Sequence, residues 1–163
     1  MKLGRIDDRL INYLSRVFSS EVYYNSRGRR PYAGPVFKFG KFRYFVPLTS
    51  RNHIRPEEKD SFLLLDEDDG GLNFSKMIAI TQDDMFKAFS FHGEKTLRQL
   101  AFMKENNNLI KEMARETYHQ ASENPNILYF KEMEKEVAKF CFLPIDKRGQ
   151  RVYPFNHEFM QRK

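Results

Sequence analysis

Hydrophobic and polar positions change period once along the chain. Up to about residue 80 the apolar positions run in short stretches of period two, and from Thr81 onward the period approaches 3.6. Residues 2–6 predict a short edge strand. Asp7 is then the N-cap of a helix reaching about residue 18, with Ile6, Leu10, Leu14, Val17 and Phe18 on one face. The alternating runs 32–38 and 42–49, around Phe39-Gly40-Lys41, predict a β-hairpin. Residues 61–65 make a continuous apolar strand that ends in the acidic turn Asp66-Glu67-Asp68-Asp69-Gly70-Gly71, and 72–80 predict one further strand with Met77, Ile78 and Ile80 in the core. Thr81 or Asp83 caps a short helix to about residue 89. A second helix starts near Glu94, breaks around Asn106-Asn107-Asn108 and continues over 109–121. The last helix runs from about Asn126 to about residue 142, with Ile127, Phe130, Met133, Val137, Phe140 and Cys141 at helical spacing, and Pro144 ends it. Strands first and helices second argue for an α+β fold with a mainly antiparallel sheet. The expected division is a single domain over 1–143 and a basic, aromatic tail over 144–163.

Composition narrows the partners. The 163 residues are 40% hydrophobic, enough for one ordinary globular core. Lys and Arg number 28 against 22 Asp and Glu, a formal charge of +6. That excess favours a polyanion, nucleic acid or an acidic membrane surface, and also serves simple solubility. Cys141 is the single cysteine, which excludes an internal disulfide and a cysteine metal cluster. No apolar run is of bilayer length, and Met-Lys-Leu-Gly-Arg lacks a signal-peptide core, so the expected place is the cytoplasm and no membrane partner is expected. A Gly-rich phosphate loop, His-Glu-x-x-His, a nucleophile elbow and Cys-x-x-Cys are all missing from the sequence. His53, His92, His119 and His157 show no ligand spacing, and the acidic turn lacks the rest of a calcium loop. Neither a metal nor a cofactor is expected.

The chemistry concentrates where the hairpin's second strand ends. Tyr44-Phe45-Val46-Pro47-Leu48 is strand-like, with Pro47 near a strand end where a missing donor is tolerated. Thr49, Ser50, Arg51, Asn52 and His53 follow: two hydroxyls, a guanidinium, an amide and an imidazole. Loops leaving a rigid sheet are where sites are built. Upstream, Tyr23, Tyr24, Asn25, Ser26, Arg27, Arg29 and Arg30 suit phosphate contacts and base stacking, or a solvated loop. Lys38, Lys41 and Arg43 decorate the hairpin, either as a solvated face or as a basic surface reaching towards the loop that holds Arg55. This set suits attack of an RNA 2′-hydroxyl on its adjacent phosphate, a reaction that needs no metal. Cations and hydroxyl donors stabilise the phosphorane and an imidazole moves protons. The products are a 2′,3′-cyclic phosphate and a 5′-hydroxyl. The plain alternative for Thr49-Ser50 is a hydrogen-bonded turn.

Several of these stretches resemble one family. Arg30-Pro31-Tyr32-Ala33-Gly34 and Lys41-Phe42-Arg43-Tyr44-Phe45-Val46-Pro47-Leu48-Thr49-Ser50 resemble the type III toxin–antitoxin endoribonucleases of the ToxN/AbiQ family. Gly71-Leu72-Asn73-Phe74-Ser75-Lys76-Met77-Ile78 and the helix Leu97-x-x-Gln99-Leu100-x-Phe102-Met103-Lys104-x-Asn106 are similar to two more of its patterns. The resemblance spans about residues 2–142. It implies a twisted, mainly antiparallel sheet flanked by helices, of the small-toxin-ribonuclease, SH3-like barrel type. It also implies metal-independent cleavage of single-stranded cellular or phage mRNA, and inhibition by an antitoxin RNA of pseudoknot repeats that the enzyme trims and joins in a closed RNA–protein complex. Carried over by position, Thr49 and Ser50 fall on the family's active-site hydroxyls and Arg30 on a basic active-site position. Spacing puts Ser26 where the family has a tyrosine, with Tyr24 nearby. Where the family follows the hydroxyls with Pro-Lys, this chain has Arg51-Asn52. The expected replacements for that lysine are His53 for proton transfer and Arg51 for phosphate charge, since arginine does not readily give up its proton. The rival expectation is a non-catalytic RNA-binding or ribonucleoprotein scaffold. A DNA-binding regulator fits less well, because no helix concentrates basic residues for a major groove.

Overall fold

A computed structural model of the chain describes residues 1–22, 30–66, 68–90, 92–144 and 147–149. Seven strands and four α-helices surround one core: β1 (Lys2–Ile6), α1 (Asp8–Val17), β2 (Tyr32–Phe39), β3 (Phe42–Thr49), β4 (Phe62–Leu64), β5 (Gly71–Asn73), β6 (Ile78–Ile80), β7 (Phe86–Ala88), α2 (Glu94–Glu105), α3 (Asn107–Gln120) and α4 (Phe130–Cys141). Every strand pair is antiparallel. The sheet order is β4-β5-β3-β2-β1-β7, with β6 also paired to β3. Predominantly antiparallel α+β architecture is therefore what forms. The expected barrel closure is not: β4 and β7 end the order as edges of an open sheet.

Asp7 caps α1 as its side chain accepts from the Arg9 N–H at 2.9 Å, which satisfies one of the orphan donors of the first turn. α1 packs on α4 through Tyr13 and Phe140, whose ring centroids lie 5.4 Å apart. On the sheet, Phe37 and Tyr44 are cross-strand neighbours, and Tyr118 of α3 lies 4.9 Å from the Phe37 ring. Phe45 points to the other face and stacks on Phe86 at 4.3 Å. Between these layers Glu134 of α4 is buried, and it accepts from the Tyr44 hydroxyl at 2.6 Å and the Tyr118 hydroxyl at 3.1 Å. Burial and the bond to Glu134 push the Tyr44 hydroxyl far above its ordinary ionisation range, and Tyr118 follows for the same reasons. Both phenols stay protonated donors, so this buried carboxyl is matched by two hydrogen bonds.

Three expected elements differ. The run 72–80 is two strands, separated by a 3-10 turn at Phe74–Lys76. The Phe74 N–H bonds to the Ser61 carbonyl, so β5 pairs with the end of β3 and β6 with its beginning. The expected helix up to about residue 89 is a 3-10 turn, Asp83–Met85, followed by β7, which the open edge of β1 recruits through Gly4–Ala88, Arg5–Lys87 and Ile6–Phe86. The last helix starts at Phe130 instead of near Asn126, because the Leu128 N–H is held in an extended link by the Ser75 carbonyl. Pro47 lies two residues before the end of β3, near a strand end as expected. Leu48 donates to Pro31 on the β2 side, so the donor missing at Pro47 faces the opposite side, where β6 stops and β5 has not begun. No helix among the described residues is long and apolar enough to cross a membrane.

Candidate active site at the end of strand β3

Register builds the corner. Thr49 pairs with Gly71, and Phe62 pairs with Asn73, so Thr49, Phe62 and Asn73 share one face of the sheet. Gly70 has φ +91, and a Cβ there would collide with the Thr49 carbonyl oxygen; the acidic turn can close against Thr49 only with glycine. A Cβ on Gly71 would run into the Phe62 ring, so glycine also lets that ring lie across the corner. The Leu48 to Pro31 hydrogen bond, 3.0 Å, carries the β2–β3 register outward and brings the half-buried Arg30 next to Thr49. Thr49 Oγ1 is shielded from solvent and has no hydrogen-bond partner among the described residues, whereas Ser50 is exposed. An orphaned hydroxyl costs about 1–3 kcal/mol unless something else satisfies it.

Arg51 bends back over this face. Its guanidinium lies 4.3 Å from the Phe62 ring centroid, forms an ion pair with Glu58 and donates to the His53 carbonyl at 3.0 Å. Glu58 also accepts from the Arg55 N–H at 2.9 Å. Burial opposes ionisation of the Glu58 carboxyl, but the bonds from Arg51 and Arg55 outweigh it and hold the group below the usual carboxylate range. The guanidinium is therefore fixed in place at the wall of the corner. The His53 imidazole is exposed in the same loop. Asn52 turns away and donates to Asp68 at 3.2 Å. The acidic turn itself is spent on structure: Asp69 takes two bonds from Arg98, at 3.0 and 2.8 Å, which hold its carboxyl below the usual range.

Beside Arg51 opens a cleft of about 470 Å³, lined in part by Arg55, Glu58, Asn73, Ser75 and Lys76. The cleft was hidden in the sequence, where 72–80 reads as a plain strand. The signal that could have found it is the polar interruption of Asn73, Ser75 and Lys76 within an otherwise apolar run. Glu58 was hidden too; it stands three residues after Arg55, behind a helix-starting Pro56.

The expected site residues divide accordingly. Arg30, Thr49, Ser50, Arg51, His53 and Arg55 gather at one end of the sheet. Lys38, Lys41 and Arg43 stand towards the turn end of the hairpin, about 20–26 Å from Thr49 at about 3.3 Å per residue, and do not extend a basic surface to the corner. There Arg43 pairs with Asp83 at 2.7 Å and Lys41 lies 5.6 Å from the Phe42 ring. Tyr24, Ser26, Arg27 and Arg29 lie outside the described residues.

Residues 2–142 match the family described as Toxin ToxN, type III toxin-antitoxin system, which takes in the corner, the cleft and every helix above. The chain belongs to that family. It is 31% identical over 130 residues to the Endoribonuclease ToxN of Bacillus thuringiensis subsp. kurstaki, covering 72% of this chain and 66% of the relative, just under two thirds of that protein's length. Its fold matches two solved structures. One concerns bacterial type III toxin–antitoxin systems and selective toxin inhibition by a non-coding RNA pseudoknot, with a TM-score of 0.75 and 23% identity over 86% of this chain and 98% of the other. The other is AbiQ, a lactococcal anti-phage endoribonuclease of the type III toxin–antitoxin system, with a TM-score of 0.68 and 22% identity over 86% of this chain and 97% of the other.

Proposed function

We propose that the chain is the endoribonuclease toxin of a type III toxin–antitoxin system, acting in the cytoplasm on single-stranded cellular or phage mRNA without a metal. Its inhibitor would be an antitoxin RNA of pseudoknot repeats, which it trims and with which it closes into an RNA–protein complex. Family membership supports the class of activity. The observation that carries the site is the buried, unpartnered Thr49 hydroxyl at a strand end beside Arg30 and Arg51.

The substrate supplies the nucleophile. The ribose 2′-oxygen forms a new bond to phosphorus, the bond from phosphorus to the 5′-oxygen breaks, one proton leaves the 2′-hydroxyl and one arrives on the 5′-oxygen. Thr49 and Ser50 donate to the non-bridging oxygens as charge builds there, and such donation recovers the cost of the orphaned Thr49 hydroxyl. Arg51, already fixed by Glu58 and Phe62, needs no rearrangement to face that charge, and Arg30 adds a second cation. His53, exposed in the same loop and touching the guanidinium through its carbonyl, moves the protons. Asn52, held by Asp68, brings no charge to the place where relatives carry lysine.

Thr49→Ala and Ser50→Ala test this. A nuclease loses turnover by about 100-fold or more, since removing one oxyanion donor costs about that much. A scaffold that merely binds RNA keeps its affinity and has no turnover to lose.

A further inference from the structure

The cleft beside the corner is not needed to explain how one linkage breaks. Its position and lining still point to a ligand. Asn73 is two residues along β5 from Gly71, the partner of Thr49, so the cleft floor lies about 6–7 Å from the hydroxyl corner along the strand. Arg51 belongs to both. At about 470 Å³ the space has the size of a small-ligand pocket, and its walls are polar on several sides.

The charges are arranged unevenly. Arg51 is matched by Glu58. Lys76 is mostly enclosed, with 14% of its side chain exposed, and its nearest carboxylate is Glu21 at 3.6 Å, whose side chain is 61% exposed. A half-buried lysine beside a loose, solvated carboxylate is a poor structural ion pair and a good anion seat. The floor is rigid: the Ser75 hydroxyl donates to Asn73 Oδ1 at 2.5 Å, both residues are buried, and the Ser75 carbonyl anchors Leu128. Asn126 at the mouth presents an exposed amide.

We propose that this cleft is a subsite for the nucleotide next to the scissile linkage, with Lys76 holding its phosphate and the exposed amide of Asn126 reading its base. Single-stranded RNA is recognised by splayed bases taking edge hydrogen bonds, and a polar cleft lined by both cations and carboxylates suits a nucleotide better than an apolar ligand. This rests on the nuclease reading above, and it assigns sequence preference to a wall outside the corner.

The test uses the full-length protein freed of copurifying RNA. Cleavage is measured on an oligonucleotide carrying an abasic residue at each position in turn, and binding on the same oligonucleotide with 2′-deoxyribose at the cut. The parent is expected to lose about tenfold in cleavage when the base beside the cut is missing. In Lys76→Gln that penalty shrinks below about twofold, KM rises about tenfold with kcat nearly kept, and binding of the uncut analogue weakens about tenfold; Lys76→Arg restores binding. Asn126→Ala flattens the base preference at that position and, being at the surface, folds regardless. If Lys76→Gln and Asn126→Ala keep the parental KM, affinity and position profile, the subsite is wrong. If the parent cuts nothing yet Lys76→Gln still weakens binding, the nuclease reading falls while the subsite stands.

Discussion

Two carboxylate-centred clusters in this molecule use similar parts for opposite ends. In the core, Glu134 accepts from Tyr44 and Tyr118, the rings stack among Phe37 and Phe130, and every partner is enclosed. At the corner, Glu58 accepts from Arg51 and the Arg55 N–H, but the assembly opens onto a cleft and leaves the Thr49 hydroxyl unsatisfied. The first cluster is closed, and it joins α3 and α4 to the sheet. The second is held in place yet incomplete: its guanidinium is fixed and, among the described residues, the Thr49 hydroxyl lacks a partner, the arrangement the proposed site calls for.

The contrast can be broken most sharply at Thr49. Thr49→Ala should cut kcat by about 100-fold or more. It should leave the melting temperature equal or slightly higher, because it deletes an orphaned hydroxyl. Glu134→Ala should do the reverse. It strands two buried phenols and should cost on the order of 3 kcal/mol in chemical denaturation, with kcat preserved in the folded fraction. Glu58→Gln sits between these. It should cost about 1.5–3 kcal/mol, the value of hydrogen bonds to a charged group, and lower kcat several-fold as Arg51 loosens. Because the folded chain holds the Glu58 carboxyl below its usual range, that contribution is present above the unfolded value and lost as pH falls through the folded one. Melting curves of parent and Glu58→Gln should therefore converge only once the pH has fallen below the usual carboxylate range. The smallest effect is expected at Arg43→Ala. Its surface pair with Asp83 is worth under about 1 kcal/mol, and its distance from the corner should leave short-oligonucleotide cleavage within twofold.

What the sequence revealed and what it hid follow the same division. The hairpin, the Asp7 cap and the interrupted helix pair were legible because local pattern and turn residues agreed with the tertiary answer. The clustering of Thr49, Ser50, Arg51 and His53 was legible because those residues are contiguous. Long-range partners were not. β7 is a strand only because β1 offers it an edge. β5 and β6 divide only because β3 is long enough to take both. The role of Glu58 depends on how Pro56 turns the chain, and Lys76 joins Arg51 only after β5 is paired. Each involves residues distant in sequence, and local periodicity carries no record of them.

The most direct measurement is of the products. Protein freed of copurifying RNA and held in chelator is incubated with a defined single-stranded RNA, and the new ends are identified by mass. Discrete cuts bearing 2′,3′-cyclic phosphate and 5′-hydroxyl ends, lost in Thr49→Ala, are the predicted result. Intact RNA, or cuts that appear only with added metal and carry 5′-phosphate ends, would contradict the account.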